Sequence, residues 1–300
     1  MDYRRIKGIC EKYGAVYGET VCLAPYTSFK IGGNCPLMVN PNCVDCLKEL
    51  VTEFSAEKTE FRVLGKGSNL LVSDKGVSVP VISLAAMNKA AIDGERVLCG
   101  AGASLIGLCR LAEENSLSGL EFAYGIPGSV GGAVYMNAGA YGGEMKDVIR
   151  ECTYVDSEGR LIPIDASDME LSYRHSFFSG KNNIIAEIEL VMKRGDRNII
   201  RGKMEEHMNA RKEKQPLEYP SAGSTFKRPE GNYAGRLIEN AGLKGFSVGG
   251  AQVSEKHCGF IVNKGGASFE DVMNLIEAVR EKVSESSGVI LEPEVVVWEQ

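Results

Sequence analysis

The sequence predicts an α+β fold, because its helical patterns are too few for regular β-α-β winding. Residues 148–164 have the alternating pattern of a β-hairpin around a Ser-Glu-Gly turn. Before residue 195, apolar residues recur at helical spacing in 42–57 and 105–112. The segment 119–143 contains eight of the chain's 35 glycines and follows neither a helical nor a strand period.

Length and charge exclude several classes of protein. The 300 residues predict about two domains and a sizeable core. A net charge of −6, without a clustered Lys/Arg stripe, argues against a nucleic-acid-binding protein. No apolar run approaches the ~18 residues of a membrane span, and the start of the chain lacks the apolar segment of a signal peptide. We therefore expect a protein with no nucleic-acid or membrane partner.

The nine cysteines are scattered, so we expect a cytoplasmic protein without a disulfide framework. Cys43 and Cys46 form one C-x-x-C pair with no second pair, and we interpret them as small apolar residues on a helix. The three histidines, His175, His207 and His257, have no ligand spacing. We predict no metal.

The first elements are predicted from local patterns. Residues 1–20 indicate a short polar helix, and residues 24–41 indicate extended segments around a Gly-Gly turn. The helix at 42–57 is expected to begin at an Asn42 N-cap. Its apolar face consists of Val44, Leu47, Leu50, Val51 and Phe54. A strand at 61–64 then runs directly into a glycine-containing turn.

That turn, residues 65–69, has the sequence GKGSN and offers several hydrogen-bond donors to a pyrophosphate. It is not a Walker A loop, because no G-x-x-x-x-G-K-[ST] occurs in the chain. It is not a G-x-G-x-x-G either, because Leu70 occupies the last position. A tight hairpin turn without a ligand explains these residues equally well at this point.

The glycine-rich segment 119–143 is interpreted as a loop that presents bare N–H groups to a phosphate-bearing cofactor. Its glycines permit positive φ and close approach, and Pro127 fixes one φ. A glycine-rich surface loop without a ligand is the alternative. Strands are expected before it at 78–84 and 96–99, followed by a helix capped by Ser104.

Beyond a strand at 184–192, the polar segment 193–203 predicts a domain boundary. A charged helix at about 200–214 follows. Later, Ser268 and Asp271 form a capping box for a long helix that Gly288 ends. Its core-facing residues are Val272, Leu275, Ile276, Val279 and Val283. A strand over 289–298 is expected to finish the chain.

Seven motifs stand in the order and spacing of one family, from about residue 24 to residue 297: YTSFKIGG, LGKGSNLLVSDKG, GIPGSVGGAVYMNAGAYGGE, YRHSFF, SAGSTFKRP, AGRLIENAGLKG and LEPEV. Together they resemble the bacterial UDP-N-acetylenolpyruvoylglucosamine reductases. The resemblance implies an FAD-binding domain of the PCMH/vanillyl-alcohol-oxidase type with a C-terminal α+β substrate-binding domain. It also implies that NADPH reduces non-covalently bound FAD. On the same resemblance, the reduced FAD would then reduce UDP-N-acetylglucosamine enolpyruvate to UDP-N-acetylmuramate for peptidoglycan.

The resemblance divides the chain into four parts. These are an N-terminal lobe of the FAD-binding region (1–60), an FAD-binding core (61–195), a substrate-binding domain (196–288) and a C-terminal strand with the catalytic glutamate (289–300). The length implies the family's shorter subtype, which lacks a tyrosine-bearing loop over the substrate. Val296 departs from the pattern, since many relatives have a basic residue there, and this puts a substrate contact from that position in question.

Three residues match catalytic positions of the family. Arg174 would supply the cation for the substrate carboxylate, Ser224 the proton, and Glu294 the carboxyl group that assists enol formation. Lys227 and Gln252 are candidates for the UDP end. The resemblance places FAD on two sets of residues, mainly through backbone donors: Gly65, Lys66, Gly67, Ser68, Asn69, Gly125, Ile126, Pro127, Ser129, Val130, Gly131, Gly132, Ala133, Asn137 and Ala138.

Two rival functions stay open. An oxidase of the same superfamily would react fast with oxygen once reduced and would not respond to NADPH. A flavin- or nucleotide-sugar-binding module without catalysis is the other rival, and the intact Arg174, Ser224 and Glu294 argue against it. We expect a monomer that acts on small molecules.

Overall fold

The computed structural model describes residues 3–300 and contains helices and strands in mixed order. The α-helices are α1 (Arg4–Tyr13), α2 (Val44–Ala56), α3 (Leu105–Glu114), α4 (Val130–Tyr135), α5 (Arg197–Lys214), α6 (Ala234–Asn240) and α7 (Phe269–Ser287). Short 3-10 helices cover Ala24–Tyr26, Leu84–Ala86, Glu121–Ala123, Met145–Asp147 and Ala166–Asp168. None of the helices in residues 3–300 is long and apolar enough to cross a membrane.

Nineteen strands lie along the described chain. The strands are β1 (Val16–Cys22), β2 (Asn34–Asn40), β3 (Arg62–Leu64), β4 (Leu70–Val72), β5 (Val81–Ser83), β6 (Ala90–Asp93), β7 (Arg96–Gly100), β8 (Leu117–Ser118), β9 (Gly139–Ala140), β10 (Gly143–Glu144), β11 (Ile149–Val155), β12 (Leu161–Asp165), β13 (Ile184–Val191), β14 (Lys193–Arg194), β15 (Ser221–Ser224), β16 (Ser247–Val248), β17 (Ala251–Val253), β18 (Phe260–Asn263) and β19 (Val296–Trp298).

The chain divides into two compact units, each built from separate stretches of sequence. The first unit consists of the chain up to Glu19, Leu37–Lys66 and Val79–Ala210. The second consists of Thr20–Pro36, Gly67–Ser78 and Arg211–Gln300. This division differs from the four consecutive parts expected from the sequence, whose bounds stay a prediction.

The first unit contains a five-stranded antiparallel sheet in the order β12-β11-β13-β7-β6. The predicted hairpin is its β11–β12 pair, in which Val155 lies opposite Leu161. The Asp156 carboxylate closes the connecting turn by accepting from the N–H groups of Glu158 at 2.9 Å and Arg160 at 2.8 Å. In the same unit, β5 pairs in parallel with both β2 and β3.

Two expectations for the N-terminal region are wrong in detail. Helix α1 ends at Gly14, which adopts a left-handed φ of 64°, and a strand follows within the segment expected to be helical throughout. Helix α2 has Cys43 as its N-cap residue. The Asn42 side chain instead donates to the Tyr13 carbonyl at 2.9 Å, so a tertiary contact replaces the predicted cap.

The C-x-x-C pair lies at the start of α2. Cys46 is buried in the core, as expected of an apolar position, whereas Cys43 is exposed. Burial raises the pKa of the Cys46 thiol to about 12. A thiol with so high a pKa is a poor nucleophile at neutral pH.

The second unit contains an antiparallel sheet in the order β15-β18-β17-β16, against which α7 packs. The predicted capping box of α7 is confirmed, since Ser268 Oγ accepts from the Asp271 N–H and Asp271 Oδ2 accepts from the Ser268 N–H, both at 3.0 Å. Gly288 ends the helix with a φ of 72°. The five predicted core residues of α7 are all buried.

The final strand is shorter than expected. Of the residues expected in this strand, Val296–Trp298 form one, in parallel pairing with β4, so Glu294 lies in the irregular segment before it. The preceding residue, Pro293, has no N–H and forms one isolated bridge with Phe226. The sequence expectation of one continuous strand with Glu294 inside it is therefore wrong.

Candidate active site

In the first unit, the start of the GKGSN turn meets the N-terminal ends of two helices. Lys66 Nζ donates to Ser104 Oγ at 3.0 Å. A Cβ atom at Gly65 would lie 2.7 Å from Ser129 Oγ, so only glycine fits there without displacing that side chain. Ser104 caps α3 by accepting from Gly107 N–H at 3.3 Å, as predicted, and Ser129 caps α4 by accepting from Gly132 N–H at 3.2 Å.

The glycine-rich segment is not the irregular loop that its spacing indicated, because residues 130–135 form α4. Its helix packs very closely on the chain around Ala101: a Cβ atom at Gly131 would lie 2.7 Å from Ala101 Cβ. The Gly131 N–H donates to Ala101 O and the Val130 N–H donates to Ala103 O, both at 2.9 Å. These two N–H groups therefore bond within the protein, and the expectation of bare donors is wrong for them.

Two neighbouring N–H groups do fit an anionic ligand. Those of Gly128 and Ser129 have no hydrogen-bond acceptor within residues 3–300. Ser129 is buried at 3% exposure. A buried N–H without a partner is costly, and for Ser129 a phosphate oxygen would supply the missing acceptor; Gly128 is half-buried, so the same cost does not apply to its N–H.

Arg174 lies in a two-residue turn of the first unit. Ser172 and His175 exchange both backbone hydrogen bonds at 3.2 Å, with Tyr173 and Arg174 between them. Arg174 has a φ of 55°, a left-handed conformation that an L-residue adopts at a cost of about 1–2 kcal/mol. Its guanidinium carbon lies 5.2 Å from the centroid of the Tyr173 ring.

In the second unit, the rest of the GKGSN turn is held by backbone contacts. Gly67 has a φ of 59°, and a Cβ atom there would lie 2.2 Å from the Tyr26 carbonyl oxygen. The Gly67 carbonyl accepts from Ser28 N–H at 3.0 Å. Asn69 Nδ2 donates to the Glu294 carbonyl at 3.0 Å, which ties the turn to the segment of a predicted catalytic residue.

Thr225 brings the segments of Ser224 and Glu294 together. The Glu294 N–H donates to the Thr225 carbonyl at 2.8 Å, and the Thr225 N–H donates to Gly259 O at 2.8 Å. Thr225 Oγ1 also accepts from Ile261 N–H at 3.0 Å. Thr225 is 2% exposed. Sequence reasoning missed this residue, for which the only signal was its position beside Ser224 in the SAGSTF motif.

The two candidates for the UDP end lie in different places of the second unit's sheet region. Lys227 donates through its backbone N–H to Glu292 O at 2.8 Å, and its ammonium group pairs with the Glu292 carboxylate. It thus lies near the Glu294 segment. Gln252 Nε2 donates to Gly245 O and Ser247 Oγ, both at 3.1 Å. Both side-chain donors of Gln252 are therefore engaged, which leaves its Oε1 as the atom for a ligand.

Two models of known protein families match this chain, one mostly in its N-terminal half and one near its C-terminus. The family model for the C-terminal domain of UDP-N-acetylenolpyruvoylglucosamine reductase matches residues 215–298. A second model, described as an FAD binding domain, matches residues 36–165. The predicted FAD cofactor and the predicted fold class, an α+β protein with an FAD-binding domain and a C-terminal domain, are confirmed.

Similar proteins cover almost the whole chain. A UDP-N-acetylenolpyruvoylglucosamine reductase of Caldanaerobacter subterraneus is 48% identical over 270 residues, which are 90% of this chain and 89% of the relative. That of Pseudothermotoga lettingae is 49% identical over 274 residues, 91% and 94% of the two chains. The crystal structure of UDP-N-acetylenolpyruvylglucosamine reductase from Thermus caldophilus superposes with a TM-score of 0.82 at 37% identity, covering 95% of this chain and 99% of that one.

Proposed function

The chain belongs to the UDP-N-acetylenolpyruvoylglucosamine reductase family, and from this premise we propose that it is an NADPH-dependent flavoenzyme of peptidoglycan precursor synthesis. The proposed reaction converts the enolpyruvyl ether of UDP-N-acetylglucosamine enolpyruvate to the lactyl ether of UDP-N-acetylmuramate. The proposal depends most on one hydrogen bond inside the matched C-terminal domain. The Glu294 N–H donates to the carbonyl of Thr225, the residue next to Ser224, and so aligns the segments of the two candidate catalytic residues. We expect a cytoplasmic monomer whose partners are these small molecules, without nucleic acid.

The chemistry that FAD would supply when bound is hydride transfer, from NADPH to the terminal carbon of the enolpyruvyl double bond. The unpaired N–H groups of Gly128 and Ser129 would hold its pyrophosphate in the first unit. The Lys66 ammonium group already donates to Ser104 Oγ, so we assign the pyrophosphate to backbone donors rather than to this side chain. In the second unit, the backbone N–H groups of Gly67, Ser68 and Asn69 are likewise proposed to donate to the FAD pyrophosphate. The remaining predicted cofactor residues stay a prediction.

Arg174 would bind the carboxylate of the substrate. A guanidinium group presents its N–H donors in a rigid fork that matches a carboxylate, and it stays protonated at every physiological pH. Negative charge grows on this carboxylate as hydride adds to the neighbouring double bond. Arg174 would therefore stabilise the transition state more than the bound substrate, which is what accelerates a reaction.

Ser224 and Glu294 would complete the addition of hydrogen across the double bond. Hydride adds to the terminal carbon, and the adjacent carbon then needs a proton, which Ser224 Oγ would donate. A serine hydroxyl is a weak acid, so it serves here only because the carbanion that receives the proton is a strong base. The Glu294 carboxyl group would hydrogen-bond the enol form of the substrate carboxylate while the proton moves.

The test is an anaerobic titration of the purified FAD holoenzyme, followed by its visible flavin absorbance. We expect NADPH to bleach the flavin and UDP-N-acetylglucosamine enolpyruvate to restore it, with stoichiometric UDP-N-acetylmuramate formed. A flavin that NADPH bleaches but that the enolpyruvyl substrate does not restore would refute the proposed acceptor. A flavin that NADPH does not reduce would refute the proposal, and fast reoxidation by oxygen after chemical reduction would then favour the rival oxidase over a binding module.

A further inference from the structure

The side chain of Asn137 is fully engaged as a buried hydrogen-bond donor. Asn137 is 1% exposed. Its Nδ2 donates to Ser172 O at 3.0 Å and to Glu144 Oε2 at 2.6 Å. Its Oδ1 accepts from Lys146 N–H at 3.0 Å. An amide nitrogen has two hydrogens, so no side-chain donor of Asn137 is left for a cofactor.

The backbone of Asn137 explains why this residue type is needed. Asn137 follows α4 and has a φ of 42°, in the left-handed region that asparagine adopts more easily than other residues with a Cβ. Its N–H donates to Val134 O at 3.0 Å. The chain therefore changes direction at Asn137 after α4, and this turn places the side-chain amide within hydrogen-bond distance of Ser172 O.

Ser172 is one of two anchors that hold the Arg174 turn to the same end of α4. The other is Ser176, which is fully buried and whose Oγ donates to the Tyr135 carbonyl at 2.6 Å. The two anchors lie on either side of Tyr173 and Arg174. A left-handed arginine is a strained conformation, and such conformations persist where the surroundings hold the backbone on both sides.

We propose that Asn137 is a positioning residue for the substrate carboxylate, acting through Arg174. By donating to Ser172 O, it holds one side of the strained turn and so fixes the guanidinium where the carboxylate binds. This inference rests on the proposed function and assigns Asn137 a role in substrate binding in place of side-chain contact with FAD.

The sharpest variant is Asn137→Asp. The aspartate keeps the size of the side chain, its tolerance of positive φ and its acceptor for Lys146 N–H. It removes the amide that donated to Ser172 O and places a second carboxyl group beside Glu144 Oε2. The two carboxyl groups then share one proton, so the bond to Ser172 O is the one that is lost. The matched control is Glu144→Gln, in which Gln Oε1 still accepts from Asn137 while the Lys146–Glu144 ion pair, 2.8 Å long, is removed.

The measurement is anaerobic stopped-flow of the FAD holoenzyme in its two half-reactions. For Asn137→Asp we expect FAD content and flavin reduction by NADPH to match the wild type, and reoxidation by UDP-N-acetylglucosamine enolpyruvate to slow at least about tenfold with a raised half-saturation concentration. Glu144→Gln should match the wild type in both half-reactions. In an Arg174→Ala background, Asn137→Asp should add no further loss, because no guanidinium is left to position.

Several outcomes would overturn the inference. The first is loss of FAD from Asn137→Asp. The second is an equal slowing of both half-reactions in Asn137→Asp. The third is a further slowing of reoxidation when Asn137→Asp is added to Arg174→Ala. If Asn137→Asp does not fold, Asn137→Gly takes its place, since glycine accepts the positive φ and lacks the amide. A wild-type rate of reoxidation in Arg174→Ala refutes the proposed role of Arg174 itself. A loss in Arg174→Ala without one in Asn137→Asp refutes this inference alone.

Discussion

The two units hold their candidate catalytic residues in different ways. In the first unit, side chains anchor the Arg174 turn, since Asn137 and Ser176 donate to carbonyl groups of other segments. In the second unit, backbone hydrogen bonds through Thr225 align the segments of Ser224 and Glu294, and Asn69 Nδ2 adds one side-chain bond to the Glu294 carbonyl. A site fixed by side chains is sensitive to isosteric substitution, whereas a site fixed by backbone is sensitive to glycine and proline changes.

The largest effect is expected from Gly67→Val in the second unit. The substitution forces a left-handed φ on a β-branched residue and brings Cβ to 2.2 Å from the Tyr26 carbonyl, so we expect a loss on the order of 3–5 kcal/mol in the free energy of unfolding. FAD retention should fall with it. Thermal unfolding and the flavin-to-protein absorbance ratio measure both effects.

Two controls sharpen this prediction. Gly242 has a φ of 73°, and no atom lies within 4 Å of the place that a Cβ would take, so Gly242→Ala should cost only the strain of about 1–2 kcal/mol. Lys66→Ala should be mild, because we place the pyrophosphate on backbone donors rather than on this side chain. Normal FAD retention in Gly67→Val would contradict the placement of FAD on the GKGSN turn.

Thr225→Val tests whether backbone groups align the segments of Ser224 and Glu294 in the second unit. It deletes Oγ1 and leaves the buried Ile261 N–H without its acceptor, so we expect a loss of about 1–3 kcal/mol in the free energy of unfolding. The backbone bonds of residue 225 to Gly259 and Glu294 are kept, so kcat should change little. Denaturant unfolding and steady-state kinetics test this. A kcat as low as that of a Ser224 variant would show that the Thr225 side chain, and not its backbone, aligns the site.

The smallest expected effect is an acid sensitivity of the first unit. Hydrogen bonds from Arg197 and Arg201 lower the pKa of the Glu113 carboxyl below its usual 4.5. A carboxyl group whose pKa is lowered by folding stabilises the protein above its unfolded pKa, and this contribution is lost as the pH falls through the folded pKa. We therefore expect Glu113→Gln to lower Tm near pH 7 and to flatten its fall below about pH 4.5.

In the second unit, backbone N–H groups of Ser268 and Gly250 lower the pKa of Asp271. Asp271, which accepts from backbone N–H groups, can therefore be compared with Glu113, which accepts from arginine side chains. Salt screens ion pairs between charged side chains more than hydrogen bonds that a carboxylate accepts from neutral backbone N–H groups. Added salt should therefore reduce the effect of Glu113→Gln more than that of Asp271→Asn, as measured by Tm against pH at two ionic strengths. An equal salt response in both variants would contradict this difference.

Local patterns in the sequence predicted the elements whose contacts are local. Helix α7 was predicted with its capping box and its buried face, because Ser268 and Asp271 are three residues apart and the apolar spacing is regular. The β11–β12 hairpin was predicted because its turn and both strands are contiguous. In each case the residues that stabilise the element lie close together along the chain.

The elements and residues that the sequence did not predict depend on contacts with residues far away along the chain. Helix α4 was missed because Gly131 serves close packing on Ala101, about which the segment 119–143 itself carries no signal. The last strand was drawn too long because its extent depends on pairing with β4. Thr225 and the anchoring bonds of Asn137 were missed for the same reason, since their partners lie far along the chain.

The most direct test of the account is the behaviour of Ser224→Ala in the two half-reactions, with Ser221→Ala on the same strand as the matched control. We predict that NADPH reduces the flavin of Ser224→Ala at the wild-type rate. Reoxidation by UDP-N-acetylglucosamine enolpyruvate should be slower by about 10²–10⁴-fold, because the proton donor is missing. Ser221→Ala should show the wild-type rate in both half-reactions. A wild-type rate of reoxidation in Ser224→Ala would contradict the assignment of the proton to Ser224 and with it the proposed mechanism.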